Sequence, residues 1–154
     1  MHVEINVDDL SDGNIEALLK QHLNEMYQYS PSESIHALDS KQLRDTSMAF
    51  WSAWVNGEFA ACGALKVLSS SSGEIKSMKT KDTFLRLGLA SQLLNVILQE
   101  ASHRNYERIS LETGTHQAFK PAIELYKKFG FVECGPFGEY RQDPHSVFFT
   151  KILK

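Results

Sequence analysis

One stretch constrains this chain more than any other: Met78 to Ala101, which reads MKTKDTFLRLGLASQLLNVILQEA. It has the form of a strand end, a short polar connection and a long amphipathic helix opening at Gly88. Ala90, Leu94, Ile97 and Ala101 fall on one helical line, with Leu89, Leu93 and Val96 beside it. Ser91, Gln92, Asn95, Gln99 and Ser102 fill the opposite face. The first turn holds no Asp or Glu, although carboxylates are favoured there, and Arg86 lies just ahead of it. Free N–H groups, a positive dipole end and a glycine that admits close approach suit a helix start to an outside anion such as phosphate. The alternative is a plain turn glycine with nothing bound. Neither G-x-x-x-x-G-K-[ST] nor G-x-G-x-x-G occurs in the chain.

The segments around this helix predict a mixed sheet. Val3, Ile5 and Val7 alternate with polar residues as a short strand, and Ser11 is expected to cap a helix with Ile15, Leu18, Leu19, His22, Leu23 and Met26 on its apolar stripe. His22 there reads as a hydrogen-bonded residue at the core edge. Asp39 is placed to cap a short second helix through Arg44. Two apolar runs from Met48 are joined by Asn56-Gly57, the strongest hairpin signal in the chain. A serine turn then leads into Glu74 to Thr80, which completes an antiparallel meander. Tyr106 to Thr113 follows the helix as a further strand, so a parallel crossover pair is expected. After a loop from Gly114 to Phe119, Pro121 opens another helix with Ala118, Ala122, Leu125 and Phe129 as its buried line, stopped by Gly130. Strands beginning at Phe131-Val132 and at Ser146 finish a single α+β domain, residues 1–154.

Composition narrows the partners. With 154 residues, a formal charge of -3 and no basic run, the chain lacks the footprint of a nucleic-acid surface. No apolar run approaches membrane-spanning length, and the first residues are acidic and strand-like rather than leader-like. Cys62 and Cys134 sit in apolar, strand-like contexts that suit reduced, buried thiols in a cytoplasmic protein. The His and Cys spacing suggests no metal site. A homodimer is compatible with all of this.

Two segments together resemble the GNAT superfamily of N-acetyltransferases. The strand, loop and helix around Gly88-Leu89-Ala90 are similar to that family's acyl-CoA motif, R/Q-x-x-G-x-G/A. Ala122-Ile123-Glu124-Leu125-Tyr126-Lys127-Lys128-Phe129-Gly130-Phe131 resembles its A-x-x-L-Y-x-x-x-G-F helix and strand. One departure stands out: Leu85 occupies the leading Arg or Gln position, and Arg86 follows it. The resemblance implies an acyl-CoA N-acyltransferase fold, an antiparallel meander plus a splayed parallel strand pair flanked by helices. It implies acetyl-CoA as cosubstrate, no metal, and a small-molecule or peptide amine as acceptor.

The same resemblance distributes roles. Between the parted strands the pantetheine arm would meet the backbone of Met78, Lys79 and Thr80, with the Met78 amide polarising the thioester carbonyl. The pyrophosphate would rest on Arg86, Leu87, Gly88, Leu89, Ala90 and Ser91. An alkylamine of pKa about 10.4 is protonated at neutral pH, which adds roughly 4–5 kcal/mol to the barrier unless a base takes the proton. Glu74 and Glu112 are the candidate bases, and Tyr126 the acid that returns a proton to the leaving thiolate. Glu33, His36 and Trp51, with Tyr140 and Arg141, are the candidate acceptor contacts. A non-catalytic acyl-CoA-binding module of the same fold, or a plain nucleotide binder using only the Gly88 helix, is the competing reading.

Overall fold

The computed structural model describes residues 1 to 154 and contains one seven-stranded sheet. Its strands are β1 (Val3–Asp8), β2 (Met48–Val55), β3 (Glu58–Val67), β4 (Ser72–Thr80), β5 (Arg108–Gly114), β6 (Val132–Cys134) and β7 (Ser146–Ile152). They lie in the order β1-β2-β3-β4-β5-β7-β6. The helices are α1 (Asn14–Met26), α2 (Ser40–Leu43), α3 (Leu89–His103) and α4 (Lys120–Lys128). All ladders are antiparallel except β4 with β5, the pair joined through α3. Asn56 and Gly57 take φ of 49° and 85° at the β2–β3 turn, the left-handed pair that a two-residue hairpin requires.

The sheet is buried on both faces by different elements. On one face α3 packs Leu89, Leu93, Leu94, Ile97 and Ala101 against Trp51, Ala53, Ala61, Leu65, Ile75, Ile109 and Phe149. On the other, α1 and α2 close Ile15, Leu18 and Leu43 over Phe50, Phe59, Cys62 and Ala64. Strand alternation decides which side chain meets which layer. Phe50 therefore faces α1, and Trp51 is carried under α3.

Several boundaries differ from the sequence reading. Ser11 caps nothing: α1 starts at Asn14 after Gly13, whose φ of 77° ends the preceding turn, and the Asp12 carboxylate accepts from the Asn14 amide at 2.9 Å. Asp39 does cap α2, in a capping box with Gln42. The Gly114–Phe119 connection is more ordered than a loop, since β5 reaches Gly114 and Gln117–Phe119 form a 3-10 turn. Ala118 is exposed rather than part of the buried line of α4, which buries Tyr126 instead. Cys62 is buried and free, but Cys134 is only half-buried.

The fold's decisive irregularity is in β4. The register with β3 slips between Cys62 and Ala64, opposite Ser77, whose φ is 58°. A bulge of this kind adds a residue and flips the strand's facing. Glu74, Lys76 and, past the bulge, Lys79 therefore face the α1 side, and Met78 turns towards α3. The partnership with β5 is short. Only Ser72, Gly73 and Glu74 pair, with Arg108, Ile109 and Ser110, while β5 stays zipped to β7 through Gly114. From Ile75 to Thr80 the β5-side edge of β4 is open.

Candidate active site

A cleft of about 810 Å³ begins where β4 and β5 part. Its floor is β4 from Glu74 to Thr80 with β5 from Leu111 to Gly114. One end is walled by Leu85, Ala90 and Leu93 and by the Ala118–Tyr126 region. The other is walled by α1 and the segment from Ser34 to Ser40. The apolar stripe of α1 thus serves two layers: Ile15 and Leu18 are buried in the core, while Leu19, His22, Leu23 and Met26 line the cleft.

At the α3 end, the amides of Arg86, Leu87, Gly88, Leu89, Ala90 and Ser91 find no acceptor anywhere in the protein. Helix starts normally leave a few amides to be capped, but here no side chain caps and no acid sits in the first turn. Arg86 at φ 65° and Gly88 at φ 80° curl the chain so that successive amides turn outward, as in an anion-binding nest. A Cβ placed on Gly88 would meet nothing within 4 Å, so the space in front of it is open. Leu89 is buried beneath this cradle at 2 % exposure and could offer a ligand only its backbone.

Of the proposed acid–base residues, Tyr126 lines the cleft with its ring 5.8 Å from Phe131, and its hydroxyl makes no hydrogen bond within the protein. Burial pushes its pKa to about 12, so it keeps its proton at neutral pH. Glu74 and Glu112 both line the cleft. Glu74 is 2 % exposed, and its Oε2 accepts from the Tyr140 hydroxyl at 2.6 Å and from Lys76 Nζ at 3.2 Å. Burial raises Glu112 above the usual carboxylate range. The neighbouring Ser146 hydroxyl and the charges of His36 and Lys76 partly offset that, while the Glu74 charge adds to it. Ser146 Oγ nevertheless stands outside hydrogen-bonding geometry, buried and without a partner.

The acceptor candidates divide. His36 lines the cleft and stacks edge-on against Tyr140 at 5.0 Å. Trp51 does not reach it, because strand alternation points the indole into the core beneath α3. Glu33 is exposed on the 3-10 turn Ser32–Ser34, and Arg141 is exposed on the connection before β7; neither lines the cleft. Tyr140 acts on Glu74 rather than as a free wall residue.

Some cleft residues were not legible in the sequence. Lys76 donates to both Glu74 and Tyr140, and its place two residues after Glu74 on one strand face was the available signal. Lys79, expected only for its backbone, extends its ammonium to Glu25 at 3.2 Å. His22 is not hydrogen-bonded: its buried Nδ1 has no partner and lies 3.8 Å from Glu25. Burial, then the Lys79 charge, lowers its pKa and keeps it neutral. No group of three or more His, Cys, Asp or Glu gathers to hold a metal ion, and no helix is long and apolar enough to cross a membrane.

Comparison with known proteins agrees with this fold. The chain is 51% identical over 153 residues to the uncharacterized N-acetyltransferase YsnE of Bacillus subtilis, covering 99% of this chain and 100% of that one. Among solved structures it superimposes on an acyl-CoA N-acyltransferase assignment from Klebsiella pneumoniae with a TM-score of 0.82, at 27% identity over 99% and 98% of the two chains. A GNAT family acetyltransferase from Elizabethkingia anophelis, solved with acetyl-CoA bound, shares the fold at a TM-score of 0.69 and 19% identity, over 98% of each chain. The model of the acetyltransferase (GNAT) family matches residues 15–131, and the chain belongs to that family.

Proposed function

We propose that this acetyltransferase moves the acetyl group of acetyl-CoA to a primary amine of a small molecule or peptide by direct attack on the thioester. The observation that carries the reading is the pairing of an open β4 edge with the uncapped amides from Arg86 to Ser91. The first can take the amide-rich arm of the coenzyme, and the second its diphosphate. Leu85 at the motif's leading position removes a polar side chain but none of these amides.

The remaining groups support the chemistry in order. The amine nitrogen attacks the thioester carbon, and the open edge at Met78 offers an amide to the oxygen as it gains charge. Glu112 takes the proton the nitrogen must lose; its raised pKa suits a base working near neutral pH. The C–S bond then breaks, and Tyr126 supplies the proton that converts the departing thiolate to a thiol. His36 faces the acceptor from the α1–α2 side.

Release of free thiol from acetyl-CoA, followed over a library of amines, amino acids and peptides, tests the proposal. Turnover with at least one amine class is expected. Coenzyme binding without thiol release from any amine would favour a non-catalytic acyl-CoA-binding module, and competition by ATP as strong as by CoA would favour a plain nucleotide site.

A further inference from the structure

The two carboxylates that the sheet places in the cleft are not equivalent, and two neighbours make them differ. Glu74 sits in a closed ring of hydrogen bonds. The Tyr140 hydroxyl donates to its Oε2 at 2.6 Å, Lys76 Nζ donates to the same oxygen at 3.2 Å, and Lys76 Nζ also donates to the Tyr140 hydroxyl at 2.8 Å. The ring is well enclosed, with the Lys76 side chain 11% exposed and that of Glu74 3%. Tyr140 is fixed in turn, its aromatic ring packed edge-on by His36 at 5.0 Å and Phe137 at 5.1 Å and tilted against Phe148 at 5.5 Å. The segment that carries it is tied to the opposite wall by Ser34, whose hydroxyl donates to Asp143 at 2.6 Å.

Glu112 stands beside this ring on the same face of the sheet and accepts no hydrogen bond of standard geometry from the protein. The groups that face it are Glu74 and Lys76 from β4, His36 from the segment before α2, Ser146 from β7, and Tyr140 from the segment before β7. Among these, Lys76 is the only side chain carrying a permanent positive charge, and Glu74 is the only other carboxylate.

We propose that Lys76 and Tyr140 are positioning residues for acetyl transfer: by engaging Glu74 in a closed ring they leave Glu112, of the two sheet carboxylates, to receive the acceptor's proton, and the Lys76 charge tunes how readily it does so. The inference rests on the proposed transfer to an amine. It adds a division of labour that a pair of glutamates on neighbouring strands does not reveal. A carboxylate oxygen that already accepts from a phenol and an ammonium offers little to an incoming amine, whereas a half-buried carboxyl without a donor offers both oxygens.

The test reads Glu112 directly and in turnover. Glutamate side chains are labelled with 13C at the carboxyl, and the Glu112 resonance is identified by its loss in Glu112→Gln and titrated by NMR. The pH dependence of kcat/KM is measured by thiol release on the same proteins. Lys76→Met removes the neighbouring cation, so both the Glu112 midpoint and the acidic limb of the rate profile should move to higher pH, by about one unit. Glu74→Gln removes the neighbouring anion and should move both to lower pH. Tyr140→Phe loosens Lys76 and should give a smaller upward shift, and Lys76→Arg should restore the wild-type profile. Loss of packing alone would not move the limb in opposite directions. Midpoints unmoved in Lys76→Met and Glu74→Gln would overturn the proposal. So would loss of thiol release in a folded, coenzyme-binding Glu74→Gln while Glu112→Gln stays active. Absence of thiol release from the wild type with every amine would instead defeat the proposed transfer, and the NMR titrations would still decide whether Lys76 and Glu74 act on Glu112.

Discussion

Gly63 and Met78 face each other across the β3–β4 ladder so closely that a Cβ on the glycine would stand 2.5 Å from the Met78 sulfur and 2.9 Å from Ile97 Cδ1. The contact sits at the bulge that turns Met78 towards α3 and leaves its strand edge open to the cleft. Gly63→Ala must therefore push aside the Met78 thioether and Ile97 Cδ1, both at the ends of flexible side chains. Overpacking of this kind costs about 1–3 kcal/mol of stability. Where that shift carries the Met78 backbone with it, turnover is expected to fall more than acetyl-CoA affinity, because the Met78 amide is the one proposed for the thioester oxygen. A variant whose Met78 amide resonance had shifted but which kept the wild-type kcat would detach Met78 from that role.

Gly88 makes the complementary case. Open space in front of it means that a side chain there meets no clash, yet its φ of 80° is unfavourable for any residue with a Cβ. Gly88→Ala is expected to cost about 1 kcal/mol of stability while retaining coenzyme binding. Gly88→Glu places a carboxylate where the diphosphate would rest, so calorimetry should detect no heat with acetyl-CoA from a protein that still unfolds cooperatively. Equal affinities for the two variants would move the anion site elsewhere.

Tyr126 keeps its proton at neutral pH because burial holds its pKa at about 12. Tyr126→Phe removes one hydroxyl that makes no hydrogen bond within the protein, so stability and acetyl-CoA affinity should change little. The expected loss is in kcat, by about 10²-fold or more if the phenol is the acid. Unchanged turnover in the Phe variant would remove Tyr126 from the mechanism.

Glu112 links the site to stability. Burial raises its pKa above the ordinary 4.5, so the folded state holds this proton to a higher pH than the unfolded chain does. The resulting stabilisation is fully present below about pH 4.5 and is lost as pH rises through the folded-state value. Glu112→Gln cannot ionise and escapes that loss. The difference in Tm between variant and wild type should therefore shift in the variant's favour as pH is raised from below about 4.5 towards neutrality. A difference that stays flat across that window would contradict the burial of this carboxyl.

Local patterns carried most of the fold. The helical spacing from Leu89 to Ala101 reappears as the side of α3 buried on the sheet, and Asn56-Gly57 reappears as the hairpin turn. Long-range placement was harder to read. Nothing in Phe50-Trp51 says which face α3 will cover, so the position of Trp51 under that helix emerges only when both layers are present. The bulge at Ser77 has no local signature, since serine is not a residue that advertises a positive φ, yet it decides that Lys79 joins Glu74 and Lys76 on the α1 side. The Glu74–Tyr140 bond joins residues from distant parts of the chain. Sequence reasoning could name both as site candidates but could not see that one occupies the other.

The central claim is that the open edge of β4 and the uncapped start of α3 together receive one molecule of acetyl-CoA. The most direct measurement is a titration of 15N-labelled protein with acetyl-CoA, reading each backbone amide. Saturable shifts are expected in two clusters at once, Arg86 to Ser91 and Ile75 to Thr80, with a common dissociation constant and with β1 and β2 undisturbed. Binding that left either cluster unmoved, or no binding at all, would contradict the account.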